Sequence, residues 1–194
     1  MQRRTCLALM IAAGALVRPA AAAVMESGVA FQERIQLAGA ELQLNGTGVR
    51  AVAWIRGYAA GLYLAGRART ADEVVAMPGP KRLRMVMLMG APASEFVKAF
   101  DKGVTRNVGE AEAEALRARM AQFDAMLERI GEVNKGDVVD MDYEPGRGMT
   151  LTFNGSVRGA PIPGADFYGG LLLSFVGARP YDKRLRAGLL GGEP

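Results

Sequence analysis

Residues 44–66, LNGTGVRAVAWIRGYAAGLYLAG, are mostly apolar and read as extended chain, yet Arg50, Arg56 and Tyr58 interrupt the run. An arginine driven into an apolar sheet needs an anion or a set of acceptors, because an unpaired buried charge is strongly unfavourable. The partner of Arg50 is therefore another side chain or a ligand that arrives from outside. By periodicity alone, Arg50 reads as an edge-strand arginine with its head in water. Arg50 and Tyr58 share parity, but in a straight strand they stand about 27 Å apart. They meet only if the chain bends or folds back between them, and Gly57 offers a place for that. Just upstream, Asn45-Gly46 is a hairpin signal.

Outward from this stretch the pattern remains strand-like. VAFQERIQL (29–37) and AELQL (40–44) alternate, with glycine-rich breaks between them. A short helical piece around Asp72–Met77 is followed by PGP (78–80), and KRLRMVMLM (81–89) then reads as a further strand. Leu83, Met85, Met87 and Met89 share one of its faces, while Arg82 and Arg84 start the other. The methionines read first as core filler, and otherwise as a soft wall that adapts to a flexible apolar ligand.

Two helices come next. Phe96, Val97 and Phe100 make one apolar stripe; Leu116, Met120, Phe123, Leu127 and Ile130 make a longer one. The second helix starts with Glu110, Glu112 and Glu114, as the helix dipole favours, and Asn107 with Glu110 resembles a capping box. The strands DVVDMDY (137–143) and MTLTF (149–153) flank the turn PGRG, and Asn154-Gly155 closes the second of them. Asp137, Asp140 and Asp142 alternate with apolar residues as a solvated strand face does, rather than as a metal site. Two short helices, about 165–176 and 181–187, end the chain. Ser174 lies on the face of Leu171 and Phe175, where a serine ordinarily bonds back to its own helix. Strands, then helices, then a hairpin, then helices indicate an α+β fold with an antiparallel sheet, not repeated βαβ units.

Composition excludes several chemistries. The chain has no histidine, and its only cysteine, Cys6, falls in an N-terminal segment with the pattern of a secretory signal. That segment has Arg3 and Arg4, an uncharged apolar run from Cys6 to Val17, and small residues at Ala21 and Ala23. The run is short for a membrane span, and the paired arginines suit an ordinary or a twin-arginine signal. Residues 1–23 are thus expected to be removed, leaving one domain, 24–194, exported across a bacterial inner membrane to the periplasm, with no stable membrane insertion. Removing Arg3, Arg4 and Arg18 takes the net charge from +4 to about +1, three fewer positive charges. The residual charge, without a basic stripe and stacking aromatics, argues against nucleic acid; the Lys183–Arg186 cluster reads as a solvated helix face. Zinc sites built on Cys or His, serine–histidine triads and thiol nucleophiles are excluded from the mature chain. No cofactor or metal is called for, and any chemistry falls to Arg, Lys, Tyr, Ser, Thr or carboxylates.

Taken in order, LNGTGVR, YAAGLYLAG, PGPKRLRMVML, KGD, YEPGRGMTLTFNGSVRGAPIPGADF and LLLSFVGARPYDKRLRAGLLG resemble the bacterial chalcone isomerase-like family, from about Gly39 to Gly191. The resemblance implies an open-faced β-sandwich, a large antiparallel sheet with a layer of helices over one face. Plant relatives include true chalcone isomerases and noncatalytic fatty-acid-binding proteins. In both branches an arginine matching Arg50 projects into the ligand cleft, where its planar fork of donors suits a carboxylate or a phenolate. Tyr58 aligns where the isomerases have threonine and the fatty-acid binders use tyrosine, and Ser174 aligns near a late pocket threonine. The isomerases' helix tyrosine and, seven residues on, their asparagine align with Phe96 and Gly103. The resemblance therefore implies a binding protein for a fatty acid or similar amphipathic carboxylate, held by Arg50, Tyr58 and Ser174. One alternative is an isomerase of the intramolecular lyase type acting on a chalcone- or flavonoid-like phenol, with Arg50 stabilising the oxyanion; another is a noncatalytic partner protein whose cleft is vestigial.

Overall fold

A computed structural model describes residues 22–192 apart from Ala53 and the side chain of Val52. The expected signal peptide, residues 1–23, lies outside the described residues except for its last two. The described chain begins with a hairpin, β1 (Ala23–Glu26) and β2 (Val29–Gln32), and continues through β3 (Arg34–Leu37), β4 (Ala40–Val52) and β5 (Ile55–Leu64). A short helix α1 (Ala71–Ala76) leads to β6 (Lys81–Met87), and a two-residue strand β7 (Ala91–Pro92) leads into α2 (Ala93–Val108) and α3 (Glu110–Glu128). The chain then forms β8 (Glu132–Val133), β9 (Val138–Glu144), β10 (Gly148–Phe153), β11 (Ser156–Ile162), α4 (Ala165–Val176) and α5 (Lys183–Leu189). Seven strands make one antiparallel sheet in the order β11-β10-β9-β6-β5-β4-β3. The α+β reading holds.

The alternation of β5 explains the layers. Ala60, Leu62 and Leu64 point into the main core, with Phe100, Leu116, Phe123, Phe167 and Leu171 from the helices. Ala59 and Tyr63 point to the opposite face, where Phe31 of the β1–β2 hairpin covers them with Leu42 and Leu44. In β6, Leu83, Met85 and Met87 join the helix-side core, as their shared parity requires.

Three local expectations fail, each for a physical reason. Asn45-Gly46 is not a hairpin turn but lies inside β4, where the register with β5 shifts between Leu44 and Gly46. Leu44 faces Tyr63 on the outer side, and Gly46 already faces Leu62 on the inner side. One extra residue, a β-bulge, has exchanged the two faces. The bulged Asn45 is buried with its amide fully used: Nδ2 donates to the carbonyls of Ala68 (3.0 Å) and Leu189 (2.8 Å), and Oδ1 accepts from the Ala68 amide (2.8 Å).

Asn107 does not cap α3. It lies in α2, its Nδ2 donating to the Gly103 carbonyl and its Oδ1 accepting from the Arg179 amide, while Gly109 with φ 91° takes the cap position. Asp140 and Asp142 do not form a solvated face either. Each is buried and accepts a two-point hydrogen bond, Asp140 from Arg84 (2.7 and 2.8 Å) and Asp142 from Arg82 (2.6 and 2.5 Å). Four charges on adjacent strands thus cancel across the sheet. Asp137 stands apart, accepting from the Asn134 amide and from Asn154 Nδ2. Asn154-Gly155 is the two-residue turn its composition predicts, both residues at positive φ (49° and 79°), and it joins β10 to a strand, β11, that the sequence did not announce.

Two consequences can be measured. Asn45→Ala strands the Ala68 amide and two buried carbonyls, and should lower unfolding free energy by at least about 2 kcal/mol in urea denaturation. In the helix layer, burial, with the nearby Asp101 and Glu128 charges and a hydrogen bond to Asp101, pushes the Asp124 carboxyl up to about 7. Its folded state holds the proton more tightly than its unfolded state, so stability falls as pH rises from about 4 to 7. Asp124→Asn lacks this term. Its melting temperature relative to wild type should climb across that interval and level off above it.

Candidate functional site

The main core does not close completely. Between sheet and helices lies a cleft of about 380 Å³, within the range of small-molecule sites. Its walls are mostly apolar: Met85, Met87 and Met89 from the β6 segment, Phe96 and Phe100 from α2, Phe123 and Leu127 from α3. Four of its polar residues, Arg50, Tyr58, Tyr181 and Asp182, lie close together at one end, and Glu95 and Ser174 also line it.

The chain brings Arg50 and Tyr58 together by folding back. They are direct partners across the β4–β5 hairpin, whose reversal lies between the paired Val52 and Ile55 rather than at Gly57. Gly57 instead takes up a second register shift, between Arg50 and Ala51. The bulge at Asn45 determines the face. In unbroken alternation Arg50 would share the outer side with Leu42 and Leu44; one residue of slip turns it inward.

Arg50 has a protein partner. Its Nη1 stands 3.5 Å from Asp182 Oδ2 and donates at 3.3 Å to its neighbour's carbonyl, at Ala51; its side chain is 26% exposed. Among the described residues, no acceptor engages Nε or Nη2. The guanidinium also lies 5.8 Å from the centre of the Tyr181 ring, whose other cationic neighbour is Arg106 at 4.5 Å. The Tyr181 hydroxyl is buried and unpartnered among the described residues.

Asp182 caps α5: Oδ1 accepts from the amides of Arg184 (2.9 Å) and Leu185 (3.0 Å), while Oδ2 accepts from Ala51 N (3.1 Å). Burial by itself would raise this carboxyl. The three amide donors and the Arg50 cation outweigh it and hold Asp182 below the usual carboxylate range. Burial pushes the Tyr58 phenol up, and the opposing pull of Arg50 only moderates this. Tyr58 therefore remains a neutral O–H donor at physiological pH.

Ser174 lines the cleft, but its hydroxyl donates to the Leu171 carbonyl at 2.7 Å, the back-bond expected of a helical serine. Its proton is committed, and only its lone pairs face the cavity. Phe96 lies 6.3 Å from the Tyr58 ring, centre to centre. Gly103 is packed so closely that a Cβ there would come within 2.6 Å of Ser174 Cβ. No side chain, and so no asparagine, fits at that position while α4 keeps its place.

Sequence reasoning missed Tyr181 and Asp182. A helix read as starting at residue 181 puts Asp182 inside it. Read as a cap, the Asp182-Lys183-Arg184 order would have pointed the carboxylate at the helix amides.

A sheet with one face roofed by helices and an apolar cleft between the layers is an open-faced β-sandwich. The pattern of the family described as chalcone isomerase-like matches residues 23–191, and the chain belongs to that family. Among solved structures, a fatty-acid binding protein of Arabidopsis thaliana is similar to it, with a TM-score of 0.65 at 16% identity, over 87% of this chain and 96% of that one. At that identity the likeness concerns the fold. No curated protein matches the sequence.

Proposed function

We propose that this protein binds a long-chain fatty acid or a similar amphipathic carboxylate, without turning it over, in the periplasm. The observation that carries the reading is Arg50. It stands at the polar end of an otherwise apolar cleft with only one nitrogen engaged among the described residues. The acid's carboxylate would take the open Nε and Nη2 edge, and Tyr58 would add a neutral O–H donor. The tail would lie along Met85, Met87 and Phe100, whose side chains suit a flexible chain. Ser174 contributes wall and an acceptor rather than a donor. The fatty-acid binding named for the Arabidopsis neighbour is compatible with this reading. Phe96 and Gly103, at the positions where the resemblance places the isomerases' tyrosine and asparagine, speak against ring closure.

Titration of a long-chain fatty acid into wild type and variants tests the assignment. Removing one partner of a desolvated charge pair typically costs 2–5 kcal/mol, and Asp182, already beside Arg50, puts this case at the low end. Arg50→Ala should therefore lose about 2–3 kcal/mol, roughly thirty- to 150-fold in affinity. Arg50→Lys should recover part of that, because an ammonium cannot grip both oxygens. Tyr58→Phe should cost about 1.5 kcal/mol. Wild-type affinity in Arg50→Ala would make Arg50 a structural partner of Asp182 alone. Saturable cyclisation of a chalcone, abolished by Arg50→Ala, would instead establish the isomerase alternative. Export is checked separately by N-terminal sequencing of the periplasmic protein, which should begin near Val24.

A further inference from the structure

The reversal between β4 and β5 carries the chain's single tryptophan, and Trp54 is 89% exposed. Beside it Ile55 is 47% exposed, and Met89, at the end of the neighbouring strand segment, is 40% exposed. Ile55 and Met89 also line the cleft, whereas Trp54 does not. The exposed apolar tip is therefore continuous with the cleft's wall at its mouth. A lone exposed apolar side chain needs no explanation, but this cluster borders an opening.

The charges around the tip have one predominant sign. Arg56 pairs with Ala51 in the hairpin and is exposed. Lys183 and Arg184 are exposed in the first turn of α5, which Asp182 fastens to the same Ala51 through its amide. Of the nearby carboxylates, Asp182 is occupied by three amides, and Glu95 at the cleft wall is paired with Lys98 at 2.8 Å.

An indole at a loop tip, beside aliphatic side chains and with exposed cations on the adjoining strand and helix turn, matches the interface of an anionic bilayer. Tryptophan settles at headgroup depth, apolar neighbours enter the acyl boundary, and Lys and Arg meet the negative surface. We propose that the β4–β5 tip docks the mouth of the cleft onto an anionic lipid surface. Docking is shallow, since the exposed apolar tip is three side chains, Trp54, Ile55 and Met89. The proposal deepens the acid-binding reading and rests on it for its purpose: an amphipathic acid dissolves poorly in water, and a cleft opening on the bilayer lets it pass without crossing the solvent.

The single tryptophan reports on its own environment. The protein purified from cells is mixed with vesicles of phosphatidylcholine, or of phosphatidylcholine with phosphatidylglycerol. Emission should shift to the blue and be quenched by brominated lipid with the anionic vesicles only, and high salt should reverse both changes. In vesicle flotation, Trp54→Ser and Arg56→Glu should each lower the bound fraction about tenfold. Their affinity for a fluorescent fatty acid in solution should be unchanged, because neither side chain lines the cleft. Emission unaffected by either vesicle would overturn the proposal. So would flotation that persists in Trp54→Ser, which would assign membrane contact to another segment, or a dimer dispersed by Trp54→Ser, which would make the tip a protein contact. A blue shift in a protein that binds no fatty acid would uphold the docking and remove the acid-binding reading, so the two fail separately.

Discussion

One buried amide decides which way the site faces. Asn45 is the extra residue of the β4 bulge, and its three hydrogen bonds join β4 to the Ala68 segment and to the end of α5. Without the bulge, the alternation that buries Leu42 and Leu44 against the β1–β2 hairpin would carry Arg50 to the same outer face. With it, Gly46, Gly48 and Arg50 turn toward the helices. The glycines matter because α5 lies directly on β4: a Cβ at Gly46 would fall 2.0 Å from the Gly188 carbonyl oxygen, and one at Gly188 would fall 2.1 Å from that of Thr47. Only bare backbones approach so closely. This contact lets the Asp182 cap reach the Ala51 amide and the Arg50 guanidinium.

The three partly buried arginines of the sheet with carboxylate partners show what distinguishes a structural charge from an available one. Arg82 and Arg84 each spend Nε and Nη2 on both oxygens of one carboxylate, a closed arrangement with little left to offer a ligand. Arg50 meets Asp182 through one nitrogen at 3.5 Å, and that carboxylate is already held by three amides. The pairing is sufficient to keep a guanidinium at the rim of an apolar cleft, and too loose to exhaust it. The two edges of the Arg50 guanidinium therefore differ. A side chain holds it in place, and one edge remains for something else.

Much of this was legible in the sequence. The helix stripes, the alternation in β6, the Asn154-Gly155 turn and, apart from β11, the order of the main strands and helices all follow from period and turn chemistry, and the α+β sheet follows from them. The failures share a cause: the outcome was fixed by tertiary partners that a local pattern does not name. Asn45-Gly46 has turn composition, yet the Ala68 and Leu189 groups give Asn45 better use as a bulge. Asp140 and Asp142 alternate like surface residues, but Arg82 and Arg84 on the adjacent strand make burial tolerable. Arg50 and Tyr58 meet only because the chain folds back, and the sequence between Val52 and Ile55 carries no glycine or proline to mark the reversal. Asp182 stayed unseen because its role depends on α5 touching β4, which no spacing along the chain reveals.

The packing around Gly103 also limits what the cleft can become. A polar side chain on that turn of α2 would need the space now filled by Ser174 of α4, and Ser174 has already turned its proton back to Leu171. Phe96, a turn and more earlier, sets an apolar ring against Tyr58. The donors that remain at the polar end, Arg50, Tyr58 and Tyr181, all stand on the β4–β5 hairpin or the α4–α5 connection, and none comes from α2. They converge from two sides on one small region, an arrangement suited to holding an anionic head while leaving the rest of the molecule in an apolar slot.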